Sequence, residues 1–115
     1  MVDLGRYAAY TQRLLTSVLT TPGDTTEALR RAVVGRAARL GGAQSGGEDV
    51  PPVLVGYVDK VARHAYKVTD EDVAALQRAG TSDDALFEIT VAAALGAALG
   101  RLERGLRALR GQEQD

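Results

Sequence analysis

Residues 85–99 read ALFEITVAAALGAAL, a run that is apolar on nearly every side of a helix and carries one charge, Glu88. A helix apolar all round is buried in a core or between subunits. This run therefore commits the chain to a helical packing in which other elements surround it. Further on, Leu95, Leu99, Leu102, Leu106 and Leu109 repeat at steps of four and three and share one stripe. Arg101, Glu103, Arg104, Arg107 and Arg110 lie opposite, with Glu103 four before Arg107 in the favourable order. The spacing predicts a long helix from about Ser82 to Arg110 that begins buried and ends as an amphipathic arm.

The remaining segments supply helices to surround it. A first helix is expected from about Asp3 to Leu19, with Leu4, Ala8, Leu15, Val18 and Leu19 on its apolar face. Thr20-Thr21-Pro22-Gly23 ends it, because proline cannot continue a helix and glycine relaxes the turn. Asp24 is then placed to cap a second helix, with Glu27 three residues on. There Leu29, Val33, Ala37 and Leu40 share a face, and Arg30, Arg31, Arg36 and Arg39 cover the rest. The segment GGAQSGGED, residues 41–49, reads as a flexible glycine-rich loop over 41–50. It has no phosphate-binding pattern and no strand before it.

Pro51 and Pro52 launch a third helix, where a missing N–H costs nothing. Leu54, Tyr57, Val58, Val61 and Ala65 form its apolar face, and Asp59 and Arg63 make an i,i+4 pair on its wet side. Thr69 caps a short fourth helix, Asp70 to Ala79, which Gly80 closes, and Thr81 or Ser82 caps the long one. No segment alternates with period two. The expected fold is all-α, a single domain over 1–115 built as a bundle of about five helices.

Composition excludes several kinds of chemistry. The chain has 115 residues and a net charge of −1, so no bulk field draws it to nucleic acid or membrane. The basic face on the last helix reads as a solvated surface or a subunit contact. Cysteine is absent, which removes disulfides, thiolate metal sites and thiol catalysis. No run matches the roughly 18 charge-free apolar residues of a membrane span, and MVDLGRYAAYTQR lacks the pattern of a signal peptide. A cytoplasmic protein is expected. His64 is the one histidine, without a partner at metal-ligand spacing, so neither metal nor cofactor is expected. The acidic residues at 70–72 and 83–84 are helix-capping charge.

The run KVTDEDVAALQRAGTSDDALFEITVAAALGAALGRL, residues 67–102, resembles the carboxymuconolactone decarboxylase and alkylhydroperoxidase-D-like superfamily. That family has a short helix opening Leu-Ser-x-Glu-Glu-Ile, a glycine, and a long helix opening Ser-Asp-x-Glu-Ile-x-Glu-x-Thr. The corresponding pieces are Val68 to Val73, Gly80, and Ser82 to Thr90. The resemblance implies an alkylhydroperoxidase-D-like helical fold that assembles as a homo-oligomer, a trimer or hexamer. It also exposes a departure from the peroxidase branch. Counting back from Val68, the branch's two cysteines and histidine fall at Pro52, Val55 and Asp59, and none matches. Hydroperoxide reduction through a thiolate is therefore not expected.

Four side chains are candidates for a site. Counting the leucine stripe back from Leu95 gives Ala92, Glu88 and Ala85. A carboxylate there would be partly desolvated, which raises its pKa toward a general base's range unless a cation pairs with it. The alternative is a structural Glu88 that pairs with an arginine of another helix or subunit, or reaches solvent near the helix start. Since the family packs the third and last helices together, His64 is placed to act with Glu88. Tyr57 and Tyr66 are candidate ligand-binding hydrogen-bond donors. Gly96 and Gly100, four apart among alanines, allow close approach of a neighbour, in the same chain or in another subunit. Two functions are expected: a homo-oligomeric interaction or small-ligand-binding module without peroxidase activity, or a cysteine-independent decarboxylase-like enzyme acting on a small organic acid or lactone.

Overall fold

The computed structural model describes residues 5–44, 46 and 49–111. Asp3 and Leu4, expected in the first helix, and Ser45, Gly47 and Glu48 of the glycine-rich segment lie outside them. Among the described residues the chain forms five α-helices and no strand, as the patterning predicts: α1 (Gly5–Thr20), α2 (Glu27–Gly41), α3 (Pro52–His64), α4 (Asp70–Arg78) and α5 (Asp83–Leu109), with a 3-10 turn over Ala65–Lys67.

The local signals at α3, α4 and α5 act as expected. Pro51 and Pro52 open α3. Thr69 caps α4 in a reciprocal box with Asp72, and Gly80 turns the chain at φ 101°, where a side chain would be strained. Ser82 accepts from Ala85 N–H to cap α5. At α2 the cap is Thr26, which accepts from Leu29 N–H, and not Asp24. Asp24 is engaged elsewhere: its N–H donates to Glu88 and its carboxylate accepts from Ser82 Oγ at 3.2 Å.

α5 is the central element, and α2 packs along it more extensively than any other helix. The buried face of α5 is Leu86, Ile89, Ala92, Ala93, Gly96, Ala97 and Gly100. Opposite stand Ala32, Val33, Val34 and Ala37 of α2, with Leu54, Val58, Val61 and Ala62 of α3 completing the core. Small residues on both helices bring the two backbones together. A Cβ at Gly100 would collide with Ala38 O, one at Gly96 with Val34 O, and one at Gly41 with Ala97 O. So Gly96 and Gly100 serve a close crossing inside this chain.

That crossing corrects the expectation about the leucines. The stripe from Leu95 to Leu109 places Leu95 and Leu99 one position before the buried Gly96 and Gly100, about 100° round the helix from them. Leu95, Leu99 and Leu106 are half-buried, while Leu102 and Leu109 are 46% and 78% exposed. Large side chains do not fit between backbones this close, so they flank the α2 contact instead of filling it. α1 packs against the core through Leu15, Val18 and Leu19. The arm beyond Gly100 keeps an apolar face that the core does not use.

Two polar expectations change as well. Arg30, assigned to the wet side of α2, is 5% exposed. Asp59 pairs with Arg36 across the α2–α3 contact, at 2.5 and 2.8 Å, instead of with Arg63 on its own helix. The Arg36 hydrogen bond holds its carboxyl below the usual range. By length and composition α5 includes a window apolar enough to cross a membrane if up to two charges are admitted, as core helices of globular proteins often do.

Candidate functional site

Glu88 stands one turn into the apolar run and reaches the loop between α1 and α2. Its Oε2 accepts from Asp24 N–H at 2.8 Å. Its Oε1 accepts from the N–H of Thr25 at 2.8 Å and from the Thr25 hydroxyl at 2.5 Å. Gly23 is required beside it, since a Cβ there would lie 2.5 Å from Oε2 and 2.7 Å from Cδ. Arg30 approaches Oε1 at 3.4 Å and also donates to the carbonyls of Leu19, Thr21 and Thr25 at 2.7–2.9 Å. One guanidinium and one carboxylate thus tie together the end of α1, the connecting loop, α2 and α5.

The structure supplies an arginine of another helix beside Glu88, and the carboxylate stays out of a general base's range. The Thr25 hydroxyl, then the N–H groups of Asp24 and Thr25, and finally the Arg30 charge all favour the anion. Together they outweigh desolvation and lower its pKa from 4.5 to about 2. A base that weak, with both oxygens already accepting, is poorly matched to taking a proton near neutral pH. A hollow of about 350 Å³ touches Glu88, Arg30, Phe87 and Val91, but the carboxylate facing it is already engaged.

His64 is not brought to Glu88. It is exposed at the end of α3, edge-on to Tyr66 with ring centroids 5.9 Å apart. Tyr57 of α3 meets Thr90, and Ala62 O accepts from Arg101 at 2.6 Å, so α3 and α5 run in the same direction. Arg101 stands thirteen residues after Glu88, a rise of about 20 Å, which leaves His64 far along the helix from the carboxylate. Among the described residues no hydrogen bond or ion pair links the two, and no acidic or histidine cluster could hold a metal.

The two tyrosines do not line a common cavity. Tyr57 Oη lies 2.7 Å from Thr90 Oγ1. Thr90 donates its own hydroxyl hydrogen to Leu86 O, so Tyr57 is the donor and its hydrogen is committed to clamping α3 on α5. Tyr66 is 81% exposed, with Lys67 over its ring at 5.9 Å.

The larger concavity is at the other end of α5. An open cleft of about 800 Å³ runs between the first half of α1, which contributes Tyr7, Ala8, Thr11 and Gln12, and the arm of α5. The α5 wall is Leu99, Leu102 and Leu106, with Glu103, Arg107 and Arg110 at its edge and Gln44 from the loop after α2. Arg107 pairs with Glu103 at 3.3 Å and donates to Gly42 O at 2.6 Å, fixing the arm to the end of α2.

Sequence reasoning missed Arg30 and this cleft. Arg30 precedes Val33, Val34 and Ala37 by three, four and seven residues, so helical period alone places it on the buried face. The signal for the cleft was a leucine stripe that continues past Gly100, where the buried set ends. Compared with known proteins, the chain matches no family model, no curated protein and no solved structure.

Proposed function

We propose that this chain is a cysteine-free, non-catalytic small-ligand-binding module of the cytoplasm, akin to the carboxymuconolactone decarboxylase and alkylhydroperoxidase-D-like proteins. Its working surface is the cleft between α1 and the arm of α5. The observation that carries this reading is the contrast between the two ends of α5. At one end the carboxylate most suited to chemistry is saturated by structural donors. At the other, a trough of about 800 Å³ lies open, walled by leucines and edged by polar and charged side chains, a size and character usual for small-molecule sites.

The test is titration with Nile red, a neutral apolar dye. Saturable binding near one dye per chain is expected, and Leu102→Glu should weaken it at least tenfold by placing a charge in the trough. Because Leu102 is 46% exposed, the melting temperature should move little. No saturable binding, or equal binding by the variant, would remove the reading.

Self-association belongs to the same proposal. Tyr10, Leu14 and Leu109 are 58%, 54% and 78% exposed and do not line the cleft. Exposed apolar side chains on adjacent helices mark an association surface when they are contiguous. Light scattering at micromolar concentration should give a mass above the 12.1 kDa of one chain; a clean monomer would refute self-association and leave the cleft untouched.

A further inference from the structure

The charges at the edge of the cleft carry information about what fills it. Among the described residues three charged side chains line it: Glu103, Arg107 and Arg110. Glu103 and Arg107 answer each other at 3.3 Å. That leaves Arg110, exposed at the end of α5, whose guanidinium has no hydrogen bond or ion pair among the described residues. The other polar residues, Thr11, Gln12 and Gln44, are neutral. Among the described residues the trough therefore ends with one positive charge that no side chain pairs.

Helix poles do not reverse that sign. The negative pole of α5 lies at this end, but the last turn of α1 meets Phe87 to Val91 and its first half meets the Leu99 to Arg110 stretch, so α1 runs antiparallel to α5 and turns its positive pole this way. The two contributions oppose, and Arg110 decides. Its planar fork suits a carboxylate, which it can meet with two parallel hydrogen bonds. From Leu99 to Arg110 the α5 wall is about 16 Å long, the scale of an extended chain of about a dozen carbons.

We propose that the cleft takes an apolar molecule bearing a single carboxylate, with its chain on Leu99, Leu102 and Leu106 and its anion at Arg110. This rests on the reading of the cleft as the working surface. With Glu103 and Arg107 paired and the wall apolar, a second charge on the ligand is disfavoured, because among the described lining residues Arg110 alone is left to meet one. The ligand is thus amphipathic and monoanionic.

The experiment displaces bound Nile red with dodecanoate, dodecanol and dodecylammonium, each kept below its aggregation concentration. Dodecanoate should compete about tenfold better than dodecanol, and dodecylammonium worst. From octanoate to dodecanoate, affinity should rise by up to about fourfold per methylene. Arg110→Gln should weaken dodecanoate about tenfold and leave dodecanol unchanged. Dodecanol matching dodecanoate, dodecylammonium binding tighter, or an Arg110→Gln variant indifferent to the head group would each overturn the assignment of a carboxylate while the cleft reading stood. Failure of Nile red to bind at all would instead overturn the cleft reading on which it rests.

Discussion

Gly100→Val is expected to lower the melting temperature by about 15 °C or to prevent folding. A Cβ at this position would fall on Ala38 O, which is backbone on the opposing helix and has no side-chain rotamer to move aside. Relief requires α2 and α5 to separate, which opens voids around Ala37, Ala93 and Ala97, all at most 1% exposed. Overpacking costs about 1–3 kcal/mol where side chains can adjust. A clash with backbone along the main helix contact belongs at or above the top of that range. Gly105→Ala on the same helix is the control. Nothing lies within 4 Å of a Cβ there, and alanine is the better helix former by about 1 kcal/mol, so that variant should melt slightly higher. Calorimetry on the pair separates the helix crossing from general effects of replacing glycine. Equal melting of the two would mean that α2 and α5 do not meet at Gly100.

Glu88→Ala should cost about 3–5 kcal/mol, the usual range for leaving a buried partner's charge uncompensated. It strands the N–H groups of Asp24 and Thr25 and leaves Arg30, 6% exposed in its side chain, without its carboxylate. The pH dependence follows from the sign of the pKa change. The folded state holds Glu88 at about 2 against 4.5 ordinarily, so the unfolded chain binds the extra proton in between. The contribution is complete above about pH 5 and disappears as pH falls toward 2. The wild type should lose melting temperature steeply across that window, and Glu88→Gln, which has no proton to gain, should start lower and fall less. Parallel profiles for the two would show that Glu88 does not carry this acid sensitivity.

What the sequence disclosed and what it concealed divide along one physical line. Thr69, Gly80 and Ser82 were readable because a cap is completed within three or four residues of itself. Asp24 satisfied the same local rule yet lost the cap to Thr26, because Ser82 and Glu88, both about sixty positions away, engage it first. The leucine stripe and the small-residue stripe of α5 have the same period, and period cannot say which of them meets the core. That choice is made by Val34, Ala38 and Gly41 on α2, which admit a close backbone and not a leucine. Arg30 was concealed by its type rather than its position: a guanidinium is usually exposed, but this one has three carbonyls and a carboxylate to receive it. The site suffers from the same difficulty. Glu88 was conspicuous as a lone charge in an apolar run, and whether such a charge is reactive depends on donors supplied by a distant loop.

The most direct test of the account is the ionisation of Glu88, followed by the chemical shift of its carboxyl carbon as pH is lowered. A binding module built as described holds this carboxylate as a structural anion. Its midpoint should lie near 2, well below that of an exposed glutamate. A midpoint between about 5 and 7 would mean that the donors of Asp24 and Thr25 do not hold it, and would restore it as a candidate general base.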